Sequence, residues 1–221
     1  MKSNIQQKIV SATFFLIIML LISPIKAQMP TYKTWLELSF EQKIKIKKFK
    51  FKVSISQGLR INDLIYNTEC SALTEVGVSK KVAGFYKLGL SYRASYIGRF
   101  KNRLALSNTF KLKVVKDLNL SFRLKYQAEF EENNPFSQDF RLKSSFKWGA
   151  HKDVRPYLFG EILYNDTYNY SNFNEYRVGL GIDADFKKKH QFNVMLMYSQ
   201  EFNKEAPGSG LVLSLAYTFA R

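Results

Sequence analysis

Two histidines, His151 and His190, and one cysteine, Cys70, are the chain's whole supply of imidazole and thiol. Both histidines fall at short connections between apolar-periodic segments, and no nucleophile elbow, Gly-rich phosphate loop or HExxH motif accompanies them. A lipase or acyltransferase needs a nucleophile, a base and an orienter. Glu129, Glu161 and Glu201 are candidates for acid–base work, yet each has an obvious role as a counter-ion. A single thiol makes no internal disulfide and lacks the Cys-rich spacing of a metal site. The chain is therefore expected not to be an enzyme and to carry no cofactor or metal.

The remaining chemistry is charge. Formal net charge is +16, and Lys2, Lys8 and Lys26 are the only charged residues among the first 27, so most of the surplus lies beyond them. Such a surplus suits nucleic acid, an anionic membrane surface or an anionic solute. The bases are spread singly instead of forming a helical stripe or one patch, which argues against nucleic acid. Arg93, Arg123, Arg141 and Arg177 each sit between apolar neighbours, as do the acids Glu129 and Asp183; Arg103 falls between Asn102 and Leu104, Glu161 between Gly160 and Ile162, and Glu201 between Gln200 and Phe202.

That placement needs extended strands. In 117–131 the even positions read Leu118, Leu120, Phe122, Leu124, Tyr126, Ala128 and Phe130. The odd positions read Asn119, Ser121, Arg123, Lys125, Gln127, Glu129 and Glu131. A period of two puts these on opposite faces of a strand. The pattern recurs in segments near 34–44, 48–59, 70–80, 84–97, 100–115, 117–131, 138–149, 154–165, 173–186, 190–203 and 209–220. Soluble strands run about five or six residues, whereas a tilted membrane strand needs about 9–11. Many of these segments reach the membrane length, and Tyr and Phe collect near their ends, as an interfacial girdle requires. A lipocalin-like barrel would show the same alternation with its apolar face turned inward, and strand length argues against it. A mean hydropathy of −0.24 fits a membrane barrel, because lipid-facing and lumen-facing residues average out.

Residues 1–27 read as a secretory signal peptide: Lys2 and Lys8, an apolar run from Ile9 to Ile22, a break at Ser23-Pro24, and the small Ala27 before Gln28. The run is short of the about 20 residues of a spanning helix. The expectation is cleavage after Ala27 and a mature barrel over 28–221 in the bacterial outer membrane. The last segment alternates Leu211, Leu213, Leu215, Tyr217 and Phe219 with small and polar residues, and it looks like a C-terminal strand read by the outer-membrane assembly machinery. Outer-membrane lipid and lipopolysaccharide are the other expected partners.

The order of several short motifs resembles the outer-membrane barrels common in Bacteroidota that are grouped as the domain of unknown function DUF2490. These are Thr34-Trp35-Leu36, Gln57-Gly58-Leu59-Arg60, Gly89-Leu90-Ser91-Tyr92-Arg93, Phe122 to Gln127, and Pro156-Tyr157 with Glu161. Tyr176 to Leu180 and Tyr198 to Phe202 complete the set. The resemblance covers nearly all of the mature chain and implies a fold, but no activity.

The expected fold is all-β: an antiparallel up-and-down transmembrane barrel. Short basic connections alternate with longer polar ones, which places the former in the periplasm and the latter outside. Eleven segments conflict with the even strand number of bacterial barrels. Either 34–44 does not span, giving ten, or a strand hides within 58–70, giving twelve; twelve is favoured. The inward network of Arg93, Arg103, Arg123, Glu129, Arg141, Glu161, Arg177, Asp183 and Glu201 then has two readings. One is a structural set of ion pairs in a filled lumen. The other is an anion-preferring lining that admits a small anionic solute.

Overall fold

The computed structural model describes residues 30–47, 49–62, 69–115, 117–131, 136–149, 153–167, 170–187, 189–203 and 207–221. Residues 1–29, and with them the expected cleavage after Ala27, lie outside the described residues, as does His151. Among the described residues eleven strands make up the fold: β1 (Thr31–Ile46), β2 (Phe49–Asn62), β3 (Glu69–Lys81), β4 (Tyr86–Tyr96), β5 (Phe100–Val115) and β6 (Leu118–Glu131). These continue as β7 (Ser137–Trp148), β8 (Val154–Thr167), β9 (Tyr170–Phe186), β10 (His190–Glu201) and β11 (Ser209–Ala220). They close into one barrel in which each strand pairs with its sequence neighbours and β1 pairs with β11.

The closure corrects the expected strand number. β1 is a full strand of 16 residues, so it is not a segment that fails to span. β2 pairs directly with β3 from Phe51↔Lys80 to Asn62↔Glu69, leaving no place for a twelfth strand between them. The odd number is accommodated because β1 and β11 run parallel, from Thr31↔Gly210 to Glu41↔Ala220. The other pairings are antiparallel. The even-number rule assumes antiparallel closure, and one parallel seam removes that assumption.

The connections form two sets at opposite ends of the barrel. The turn end carries intervals 47–48, 82–85, 116–117, 149–153 and 187–189 together with Arg221; the loop end carries 63–68, 97–99, 132–136, 168–169 and 202–208 together with Thr31. The expected difference in length is weaker than the alternation suggested, since β8 and β9 are joined across 168–169 alone. Lys47 at φ 54° and Lys187 at φ 50° turn the chain in the left-handed region at the turn end.

Exposure shows which face is outside. Leu90, Leu124 and Leu180 are each about half exposed, as are Leu106, Leu142, Leu158 and Val194 around the barrel's waist. Aromatic rings pair on the same outward face towards both ends. At the turn end Tyr86 stacks on Phe110 at 4.7 Å and Phe192 meets Tyr217 at 4.9 Å. At the loop end Tyr96 meets Phe100 and Phe130 meets Phe136, both at 5.1 Å. An apolar belt between two aromatic girdles is the outward surface of a membrane barrel, and it is the reverse of the inward-apolar arrangement of a lipocalin.

Candidate functional site

Register carries the charged residues inward at matching depths. Across β6, β7, β8 and β9 the pairs Arg123↔Lys143, Lys143↔Glu161 and Glu161↔Arg177 form one continuous row. Glu161 is the centre of it: its side chain is 4% exposed and is approached by Arg141 at 2.7 Å, Arg123 at 3.4 Å and Arg177 at 3.6 Å. Burial makes those contacts necessary, because a carboxylate out of water must be paired or lose several kcal/mol. Arg141 also donates to Oε1 of Gln127 at 3.2 Å, and Gln127 is fully buried. Arg177 is held from its other side by a two-pronged contact with Glu175, at 2.7 and 2.9 Å.

The remaining expected residues form separate pairs. Arg93 donates from Nε to Glu75 at 2.7 Å, directly across β3 and β4. Arg103 donates from Nε to Glu129 at 2.8 Å, and Lys101 reaches the other carboxylate oxygen. Asp183 pairs with Lys147 and accepts from Nδ2 of Asn193 at 2.7 Å. Glu201 lies at the loop end, where its carboxylate accepts from the amide of Gly208 at 3.1 Å and helps close the 202–208 connection. The structure thus brings Arg123, Arg141, Glu161 and Arg177 into one cluster and distributes the others around the wall.

A second feature of the lumen is apolar, and alternation alone did not place it. Phe159, Met197 and Val212 are buried inside the barrel, with Trp35, Tyr157 and Met195 packed against them. Leu73 and Leu163 are buried as well. Aromatic faces receive cations here: the Arg60 guanidinium lies 4.6 Å from the Trp35 ring centre and Lys143 Nζ lies 3.6 Å from that of Phe159. Two glycines make room for the rings. A Cβ on Gly179 would meet Phe159 at 2.6 Å and the Leu196 carbonyl at 2.7 Å; one on Gly181 would meet Tyr157 at 2.5 Å. The sequence did carry a signal. In Val154 to Asn165 both phases of the alternation hold apolar residues, which marks a strand dry on both faces, and Gly179 and Gly181 share one phase of the next strand.

Depth divides the lumen into two halves. The buried inward side chains Ser71, Leu73, Ala105, Gln127, Glu129, Glu161, Leu163, Met197, Ser199 and Val212 lie towards the loop end of their strands or at mid-strand. Towards the turn end the lumen opens. A cavity of about 580 Å³ there is lined by Lys111, Ser121, Ser145, Lys147, Arg155 and Asp183, among others. A smaller one of about 180 Å³ is lined by Lys52, Lys87, Arg123 and Lys125 with Glu41 and Glu75. His190 is not in this lumen. It sits in the outward aromatic girdle of the turn end, with Nδ1 2.6 Å from the Tyr217 hydroxyl and its ring 5.3 Å from Phe219.

Residues 32–208 match the family of proteins of unknown function DUF2490. The chain belongs to that family. No curated protein matches this DUF2490 member. Among solved structures, the beta domain of the Bordetella autotransporter BrkA shares its fold. The TM-score is 0.59 at 10% identity, over 77% of this chain and 83% of that one. A bacterial polysaccharide outer membrane secretin matches at TM-score 0.48 and 10% identity, covering 76% of this chain and 74% of its own. The KdgM porin matches at TM-score 0.42 and 13% identity, over 74% and 89%. With its apolar belt and aromatic rings on the outward face, the DUF2490 chain is an outer-membrane-type β-barrel.

Proposed function

We propose that this DUF2490 protein is a structural barrel of the bacterial outer membrane, sealed across the loop-end half of its lumen by its own side chains. The observation that carries this reading is the filled cross-section. It is supported by Glu161 and its three guanidinium neighbours, the fully buried Gln127, and the packed Phe159, Met197 and Val212, which crowd this part of the lumen. A small barrel is just wide enough for side chains to fill it. Catalysis has no part in this reading, and neither does nucleic acid. The partners are outer-membrane lipid and lipopolysaccharide around the apolar belt, and the assembly machinery at the last strand. Residues 1–27 are removed during export, so N-terminal sequencing of the membrane-inserted protein should begin at Gln28.

A second reading is a narrow anion-preferring pore. The inward-facing lysines of the turn end favour it, since a positive passage concentrates anions and repels cations. It requires the sealed half to open. Planar-bilayer recording of the purified mature protein separates the two. The structural barrel predicts no steady current. A stable anion-selective current would overturn it in favour of the pore, and a cation-selective current would contradict both.

A further inference from the structure

We propose that the turn-end half of the lumen is a binding site for a small multivalent oxyanion of the phosphate or carboxylate class. This rests on the sealed-barrel reading, which makes that half a pocket with one mouth.

Thr109 on β5 lies among inward-facing bases. Lys87 of β4 stands across from it on one side and Arg123 of β6 on the other. One inward step nearer the loop end, Lys125 of β6 stands across from Ser107. One step nearer the turn end, Lys111 on β5 itself faces Ser121. Four bases on three neighbouring strands therefore surround one inward threonine.

Carboxylates do not neutralise them. Glu41 is held by Lys52 at 2.5 Å, and Glu75 by Arg93 at 2.5 Å. Arg123 shares Glu161 with Arg141 and Arg177. Lys87, Lys111 and Lys125 have no carboxylate within 4.0 Å among the described residues. The nearest charges add to the imbalance: Lys87 faces Lys52, Lys111 and Arg123 as well as Glu41, and Lys111 faces Lys147, Lys52, Lys81 and Arg155. Glu75 opposes Lys125 in charge, and Arg93, Arg141 and Arg123 repel it.

Space and polarity complete the site. Lys87, Lys125 and Arg123 line the cavity of about 180 Å³ together with Ser54, Ser79, Ser91 and Ser107. Lys111 lines the one of about 580 Å³ with Ser121 and Ser145. Ammonium groups and hydroxyls around a recess are donors for a compact, multiply charged oxyanion. Like charges that repel one another in the empty site are relieved when such an anion arrives. A structural role alone gives no reason to leave three inward lysines without a carboxylate partner while Glu41, Glu75, Asp183 and Asp185 each pair with another base.

The test is isothermal titration of the mature barrel in zwitterionic detergent, with inorganic pyrophosphate in one arm and citrate in the other, at fixed ionic strength. Saturable one-to-one binding of either supports the site and assigns its class. Lys87→Gln and Lys125→Gln should each weaken binding roughly tenfold, the loss of about one charge-assisted contact. Lys50→Gln, outside both cavities, should leave it unchanged. The circular dichroism of each variant shows that it is folded. No saturable heat with either anion, or equal weakening by Lys50→Gln, overturns the site. Bilayer recording reports separately on the seal, so a conducting barrel that binds and a silent barrel that does not are distinguishable outcomes.

Discussion

Glu161 concentrates the electrostatic problem of this fold in one side chain. A buried carboxylate among three guanidinium groups is tolerable only as a set, because removing one partner leaves charge uncompensated out of water. Glu161→Gln is expected to cost about 3–5 kcal/mol, read from urea unfolding of the barrel in lipid vesicles. A change below about 1 kcal/mol, the range of an exposed pair, would show that the cluster is solvated and the lumen wetter than described. At this scale the sequence told which face each charged residue takes but not its partner. Arg123 and Arg141 both turn to Glu161, whereas Glu129 is served by Arg103 and Lys101. Period two fixes a side chain's direction, and only register fixes what it meets. The connections that set register differ in length without a rule that alternation could reveal.

Among the elements, the pairing of β8 with β9 shows how the dry part of the lumen is built. Tyr157 and Phe159 project from β8 over Gly181 and Gly179 of β9, and the gaps beside them admit no further atom. Gly181→Ala is expected to destabilise the barrel by about 1–3 kcal/mol through overpacking. Gly160→Ala, whose Cβ would meet nothing within 4 Å, should be near neutral. Equal effects in the same unfolding assay would mean that the rings do not rest where the glycines leave room. The outward face makes its own demand. Leu124→Arg puts a charge at the waist of the apolar belt, at a cost of roughly 2–4 kcal/mol near the bilayer midplane; an inward Ser91→Asn should cost far less. If the two responded oppositely in lipid, the faces would have to be exchanged. Strand existence and bounds were legible because alternation runs nearly unbroken through each segment. The parallel seam was not, since nothing within β1 or β11 records which way its partner runs.

At the scale of the whole molecule, the parallel seam has a topological consequence. β1 begins and β11 begins at the same end, so Thr31 lies at the loop end while Arg221 lies at the turn end. With the turn end in the periplasm, the first strand starts at the outer rim. An epitope placed immediately before Thr31 should then bind antibody on intact cells, and a tag after Arg221 should do so only once the outer membrane is permeabilised. The reverse labelling would invert the orientation and put the basic vestibule outside.

Buried side chains fill one half of the lumen and cavities open the other, and cysteine accessibility in a Cys70→Ala background tests that division. Ser121 and Ser145 line the open cavity, whereas Ala105 and Ser199 are 3% and 8% exposed in the filled half. Single cysteines at the first two positions should react with a small charged thiol reagent at rates near that of a solvated thiol. Cysteines at Ala105 and Ser199 should remain protected until the barrel unfolds. Comparable rates at all four positions would contradict the seal and show a continuous water path from end to end.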